Sequence, residues 1–319
     1  MDQNSDVLDR VIIKFAGDSG DGMQLTGTQF TNTAALFGND VSTFPDFPAE
    51  IRAPQGTLAG VSGFQVHFGS VNIYSPGDKC DVLVAMNAAA LKANLSGLKS
   101  GGTIIANLEG FDAKNLRLAN YEPDKNPMED GSLTNYRLVQ IDVTKLTRAS
   151  LADSGMGIKE IDRSKNMFVL GFLYWMYNRS IENSIKFLND KFGKKPDILE
   201  ANIKVLKAGY AYGETTEAIE TRYIVNPAKM EPGMYRNIMG NQAAAMGLIA
   251  ASEKSGLEMF YGTYPITPAS DILHELAKHK NFGVKTFQAE DEIAAICSVI
   301  GASFGGALAV TASSGAGIE

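Results

Sequence analysis

The sequence predicts an α/β chain in two parts: a mixed, mostly parallel sheet with a helical cap, followed by part of a second α/β domain. Three observations carry this. Short β-branched runs alternate with stretches of helical spacing between Val11 and Leu151, the pattern becomes wholly helical from Lys165 to Gly213, and a small-residue alternation of helix and strand restarts at Asn237. The expected divisions are 1–213 for the first domain, 214–236 for a linker and 237–319 for the second. At 319 residues the chain is long enough for two cores, since domains usually hold roughly 100 to 200 residues.

Val11–Ala16 (VIIKFA) reads as a strand ending at Gly17, and Met23–Phe37 as the helix after a Gly/Asp loop. Val41–Phe44 is a second strand, after which Pro45, Pro48 and Pro54 keep the chain extended. Ser62–Phe68 and Val71–Tyr74 flank Gly69-Ser70, the pattern of a hairpin at an antiparallel edge. Asp81–Met86, Gly102–Ala106 and Tyr136–Ile141 then supply strands around a helix over Ala88–Leu98, with Asp142 or Thr144 as cap of a helix through Leu151. Pro196 opens a helix after the Gly193-Lys194-Lys195 break. In the second part the expected order is helix Gln242–Lys254, strand Met259–Tyr261, helix Ser270–Lys280, strand Val284–Gln288, helix Glu290–Phe304 and strand Leu308–Thr311.

Composition narrows the function. A net charge of −7 argues against a nucleic-acid surface, which calls for clustered Lys/Arg. No apolar run approaches the roughly 18 residues of a membrane span, and the acidic, polar start MDQNSDVLDR is unlike a secretory signal, so the expected location is cytoplasmic. Cys80 and Cys297 stand far apart and none of the three histidines is spaced as H-x-x-x-H, so no metal or iron–sulfur site is expected in this chain.

The loop Gly17-Asp18-Ser19-Gly20-Asp21-Gly22 follows the first strand, where a dinucleotide-binding loop would stand. Its spacing is not G-x-G-x-x-G, and Asp18 and Asp21 would repel a pyrophosphate. Gly20-Asp21-Gly22 also matches the start of a thiamine diphosphate magnesium motif, but the window roughly 25 to 30 residues on, Pro48 to Arg52, holds no Asn to complete the oxygen set. The leading structural reading is a tight turn whose Asp caps the next helix. Arg52, in a proline-stiffened loop, is either a guanidinium offered to an anionic ligand or the exposed partner of Glu50.

The last eighty residues carry more chemistry. Glu290, Asp291 and Glu292 all favour the positive end of the following helix, a sufficient structural reason for the first two. Glu292 borders the apolar run Ile293-Ala294-Ala295-Ile296, where a partly buried carboxyl could share a proton with an aminopyrimidine ring and so activate thiamine diphosphate. Tyr264-Pro265-Ile266-Thr267-Pro268 holds the Thr267 hydroxyl between two prolines, and Ser270 is a candidate cap for the next helix. Gly301, Gly305 and Gly306 are expected to permit close helix–sheet packing. Ser313, Ser314, Gly315 and Gly317 should form a strand-to-helix turn at the carboxyl edge of the sheet.

Taken in order, Gly240-Asn241-Gln242-Ala243-Ala244-Ala245, YPITPAS, AEDEIAAI with Gly301-Ala302-Ser303, and TASSGAG closely resemble the pyrimidine-binding domain in the alpha subunit of 2-oxoacid:ferredoxin oxidoreductases. GDSGDGMQLTG and FPAEIRAPQG resemble the gamma domain of the same family, fused ahead of alpha as in the 2-oxoglutarate type. The resemblance implies a thiamine-dependent oxidative decarboxylation of a 2-oxoacid with coenzyme A, electrons passing to ferredoxin. It makes Glu292 the carboxylate that activates the aminopyrimidine, nine residues before Gly301, and Thr267 the threonine facing cofactor and substrate. Tyr264, Pro265, Ile266, Ser314 and Gly315 become cofactor-binding candidates, and Gly20, Asp21, Gly22 and Arg52 candidates on the coenzyme A side.

Diphosphate, magnesium and an iron–sulfur cluster are implied for a beta subunit in an (alpha-beta)2 assembly. Two departures stand out: Ala316 occupies a turn position often held by Pro, and family alpha subunits continue past this turn, supplying an arginine for the substrate carboxylate. The chain is therefore expected to be inactive alone, and pyruvate, 2-oxoglutarate and branched-chain 2-oxoacids are separated only by family analogy. Two other readings are a non-catalytic assembly or docking module and an independent nucleotide-binding α/β protein.

Overall fold

The computed structural model describes residues 5–48, 53–216, 219 and 222–318. The described chain divides into two compact units, Met1–Pro232 and Gly233–Glu319.

In the first unit, β1 (Ser5–Val7) pairs in parallel with β8 (Arg222–Ile224), a strand inside the stretch expected to be linker. The main sheet holds β2 (Arg10–Asp18), β3 (Asp40–Asp46), β4 (Val61–Gly69), β5 (Cys80–Ala85), β6 (Leu98–Asn107) and β7 (Arg137–Ile141). Its order is β3-β4-β2-β5-β6-β7; β2, β5, β6 and β7 run parallel, and β4 runs antiparallel to both neighbours. The mixed sheet with an antiparallel edge is as the sequence predicts, but the hairpin is not. Gly69 lies opposite both Arg10 and Asp40, so β2 and β3 flank β4. The 71–74 segment is outside the sheet, with the Ile73 N–H donated to Asp40 Oδ2 at 2.7 Å.

The helices of this unit are α1 (Met23–Phe37), α2 (Ala88–Asn94), α3 (Ala113–Leu118), α4 (Val143–Ser150), α5 (Ile158–Asp162), α6 (Lys165–Met176), α7 (Glu182–Phe192) and α8 (Pro196–Thr216). They cover both faces of the sheet. Side chains alternate along a strand, so Val11, Ile13 and Phe15 of β2 enter the core shared with α1, α6 and α8, while Ile12 and Ala16 enter the one shared with α2. Asp142 caps α4 by accepting from Lys145 N at 3.1 Å, one of the two caps foreseen. Where α6 crosses α8 the backbones nearly touch: a Cβ on Gly171 would overlap the Leu206 carbonyl oxygen, and one on Gly209 the Phe168 carbonyl oxygen.

The second unit is a three-stranded parallel sheet, order β10-β9-β11, formed by β9 (Met259–Thr263), β10 (Lys285–Gln288) and β11 (Leu308–Val310). Its helices are α9 (Gly240–Ser255), α10 (Ser270–Leu276) and α11 (Glu292–Phe304). Ala245, Ile249, Met259, Tyr261, Leu273, Leu276 and Val284 make its core. α11 buries only Ala295 and Val299, leaving Ile293, Ile296, Ile300 and Phe304 exposed. The expected close packing at Gly301, Gly305 and Gly306 is absent among the described residues. Cβ atoms on Gly301 and Gly306 would meet open space, and one on Gly305 would come no nearer than 3.3 Å, to the Ala302 carbonyl oxygen.

No helix among the described residues is long and apolar enough to cross a membrane, and among them no group of three or more His, Cys, Asp or Glu is placed to hold a metal ion.

Candidate active site on the second sheet

Three parallel strands place their carboxyl ends at one rim, the position where open α/β sheets bind ligands. At the end of β9 the Thr263 hydroxyl donates to the Ala312 carbonyl at 2.7 Å, tying β9 to the chain just beyond β11. The Thr263 carbonyl in turn accepts from Ala289 N at 2.9 Å, which draws in the turn before α11. All three rim loops are thus referred to one strand end.

The Tyr264–Pro268 loop leaves from the same point and contains a cis Thr267-Pro268 peptide. Ser314 Oγ donates to the Thr267 carbonyl at 2.9 Å, and Asn241 Nδ2 donates to the Pro268 carbonyl at 3.0 Å. Thr267 and Ser314 are therefore neighbours. Tyr264 and Thr267 are exposed, whereas Pro265, Ile266 and Ser314 are half-buried. Ser270 does not cap α10 as expected: it is the first helical residue, and both its N–H and its hydroxyl donate to the Ile266 carbonyl, at 2.9 and 3.1 Å.

Glu292 opens α11. Asp291 is the N-cap, extended at φ −157° and accepting from Ala294 N at 2.7 Å, while Glu290 lies outside the helix. The Glu292 side chain is half-buried and makes no hydrogen bond or ion pair among the described residues. It faces the short turn Gly315–Gly317: a Cβ on Gly317 would overlap Ser313 Oγ and come within 2.7 Å of Glu292 Cγ. Gly315 itself takes φ 57°, the left-handed region in which a side chain is disfavoured. Ser313 Oγ is buried and has no hydrogen-bond partner among the described residues.

A carboxyl with no partner, an unused buried hydroxyl and a glycine whose side chain would fill the space between them fit one edge of a polar heterocycle such as an aminopyrimidine. A carboxyl so placed can hold or exchange a proton at a ring nitrogen. Thr263 and Asn241, which organise this rim, were not singled out from the sequence as site residues. Their roles depend on contacts with Ala312 and Pro268 that no local pattern announces.

In the first unit, Gly20, Asp21 and Gly22 lie just past the carboxyl end of β2. The expected Asp cap of α1 is Gly22 instead, at φ 73°, where a Cβ would meet Asn166 Nδ2. Asp21 has two other tasks: it accepts from Asp18 N at 2.8 Å and pairs with Lys165 at 2.7 Å. Burial raises the Asp18 carboxyl above its ordinary value, opposed by the Gly56 N–H it accepts. These groups border a polar crevice of about 160 Å³ shared with Asn87, Asn107 and Arg148. Arg52 and its neighbour Glu50 fall outside the described residues.

The second unit thus has the form of an open parallel α/β sheet with an unpartnered carboxyl, Glu292, at the same rim as the Tyr264–Pro268 loop, the arrangement of α/β proteins that bind a ligand at the carboxyl ends of their strands. Residues 12–212 match the pyruvate ferredoxin/flavodoxin oxidoreductase family, and residues 253–319 match the thiamine-diphosphate-binding part of pyruvate flavodoxin/ferredoxin oxidoreductases. The chain belongs to the pyruvate ferredoxin/flavodoxin oxidoreductase family.

Over 98% of its length the chain is 55% identical to the 2-oxoglutarate oxidoreductase subunit KorA of Mycobacterium tuberculosis, of which it covers 48%. It also matches the 2-oxoglutarate synthase subunit KorA of Archaeoglobus fulgidus, 52% identical over 26% of this chain and 22% of that one. Among solved structures it is similar to the 2-oxoglutarate:ferredoxin oxidoreductase from Magnetococcus marinus with 2-oxoglutarate, coenzyme A and succinyl-CoA bound. That match has a TM-score of 0.71 and 32% identity, and covers 98% of this chain and 48% of the other. The chain spans about half the length of these two long-range relatives.

Proposed function

We propose that this chain is the gamma and pyrimidine-binding part of the alpha subunit of a thiamine-diphosphate-dependent 2-oxoglutarate:ferredoxin oxidoreductase. The whole protein would convert a 2-oxoacid and coenzyme A to acyl-CoA and carbon dioxide, passing two electrons to ferredoxin. 2-Oxoglutarate is the favoured substrate because the two relatives matched over 98% of this chain, at 55% and 32% identity, are named for it. Thiamine diphosphate, when bound, would supply the nucleophilic carbon that decarboxylation of a 2-oxoacid requires.

This chain's residues act around that group. Glu292 holds the proton at the pyrimidine edge, and Ser313 supplies a hydroxyl beside it. Thr267, fixed by the Ser314 bond, presents its side chain to the reacting region, while Tyr264, Pro265, Ile266 and Gly315 shape the wall. Gly20, Asp21, Gly22 and Arg52 belong to the coenzyme A side. A beta subunit holding the diphosphate, magnesium and an iron–sulfur cluster completes the site in a cytoplasmic (alpha-beta)2 assembly.

The observation that carries this reading is the unpartnered, half-buried Glu292 within the segment matching the thiamine-binding family. In the complete complex, Glu292→Gln should lower 2-oxoglutarate- and coenzyme A-dependent reduction of ferredoxin or a viologen dye by about a hundredfold or more, the ordinary range for a positioned acid–base group. A wild-type rate would remove Glu292 from the mechanism. Calorimetric titration with thiamine diphosphate separates an enzyme from a docking module, since the latter takes up none even with beta present.

A further inference from the structure

The amino ends of the parallel strands in the first unit, opposite the Gly20–Gly22 loop, frame a second cleft. It is open, about 260 Å³ in volume, and its lining includes Arg10 at the start of β2, Asp81 of β5, Lys99 of β6, Arg137 at the start of β7, Tyr177, and Tyr223 of β8. Three cations meet one carboxylate here, in a chain whose net charge is −7.

The single carboxylate is already committed. Asp81 Oδ2 accepts from Ile12 N at 2.8 Å and its Oδ1 takes the Lys99 ammonium at 2.7 Å. Arg137 gives one N–H to the Tyr223 hydroxyl at 2.7 Å, which steadies its planar fork and leaves the remaining donors free for a ligand. The Arg10 side chain, exposed and lining the cleft, makes no hydrogen bond or ion pair among the described residues. Tyr177 is buried as part of the floor, and the half-buried Tyr223 ring lies 5.8 Å from it.

Adjacent strands are about 4.8 Å apart, so cations distributed from β2 to β7 are spread over roughly 14 Å of sheet edge before their side chains converge. Long side chains that converge from both ends of such a row suit an anion that carries charge on two adjoining groups, and planar guanidinium groups match phosphoryl oxygens well.

We propose that this cleft binds a small diphosphate-bearing anion, with Arg10 and Arg137 engaging its phosphoryl groups and Lys99 adding positive charge. None of its lining residues belongs to the unit that carries Glu292, and the proposal does not depend on the activity assigned there. The diphosphate has two possible sources, inorganic pyrophosphate or a nucleoside diphosphate whose base would lie against Tyr223.

The test is equilibrium dialysis of inorganic pyrophosphate and of ADP against the complete alpha–beta complex at low ionic strength, with magnesium omitted. Arg10→Ala and Arg137→Ala should each weaken binding at least tenfold, and Arg10→Lys should restore part of it. Tight pyrophosphate binding alone identifies a site for the free anion, whereas tighter ADP binding identifies a nucleotide site; both uphold the diphosphate chemistry. Binding of neither probe, or binding indifferent to both arginine substitutions, overturns the proposal. So does binding that is found in the free full-length subunit but lost on assembly, because the cleft is then a subunit interface. Arg10 is exposed, so its alanine variant keeps the test valid if Arg137→Ala fails to fold.

Discussion

The glycines inside the α-helices of the two units behave in opposite ways. In the first unit, Gly171 and Gly209 are where α6 and α8 come together, and each faces the other helix's backbone with no room for a methyl group. In the second, Gly247 of α9 and Gly301 of α11 have no atom within 4 Å of where a Cβ would lie. The same contrast runs through the cores. β2 is buried on both faces, whereas α11 leaves Ile293, Ile296, Ile300 and Phe304 exposed, at 73%, 42%, 62% and 96%. Burying one such side chain is worth about 1.5–3 kcal/mol. β2 has used its apolar surface inside its unit, and α11 retains a stripe able to drive association.

The strongest challenge to this contrast is Glu292→Gln. It should cost the complex about a hundredfold in activity while leaving the thermal transition of the free subunit in place, because the carboxylate has no partner to lose among the described residues. Next comes Gly171→Ala, which forces α6 and α8 apart. Overpacking of this kind costs about 1–3 kcal/mol, and a urea midpoint equal to wild type would show that the crossing has slack.

The matched substitution in the second unit, Gly247→Ala, should have the opposite sign. It is expected to stabilise by about 0.5–1 kcal/mol through helix propensity alone, measured as a higher midpoint of that unit's transition. The smallest effect is on thiols. Burial pushes the Cys80 thiol up to about 11, so it should resist a disulfide reagent at pH 8 and begin to react only as pH nears that value or the unit unfolds. Cys297, exposed on α11, should react at once in the free subunit, and loss of that reactivity on adding beta would identify the covered face.

What could be read in the sequence follows the range over which each feature is determined. VIIKFA, DVLVAM and the 165–213 helices come from local period and were legible within a few residues. The false hairpin shows the limit. Ser62–Phe68 is a strand, but its partners are chosen by residues far along the chain, and the Asp40 side chain occupies the Ile73 N–H that a return strand would have used. β8 has three residues, too few for a period, and so it passed as linker. At the candidate site, Glu292, Thr267 and Ser314 sit in motifs dense enough to read, and the structure brings Ser314 onto Thr267. The tie from Thr263 to Ala312 joins residues 49 apart and left no local trace.

The β1–β8 pairing has a temporal consequence. Ser5 lies opposite Arg222, so nearly the whole first unit is enclosed between two strands of three residues each. Closing so long a loop for so few ladder bonds is favourable only once the intervening sheet has brought the ends together. On the ribosome, the six-stranded sheet would therefore form with Ser5–Val7 still unattached, and that strand would be secured only after Ile224 emerges. A nascent chain arrested before that point should keep its amino-terminal segment open to proteases while the core behind it is already protected.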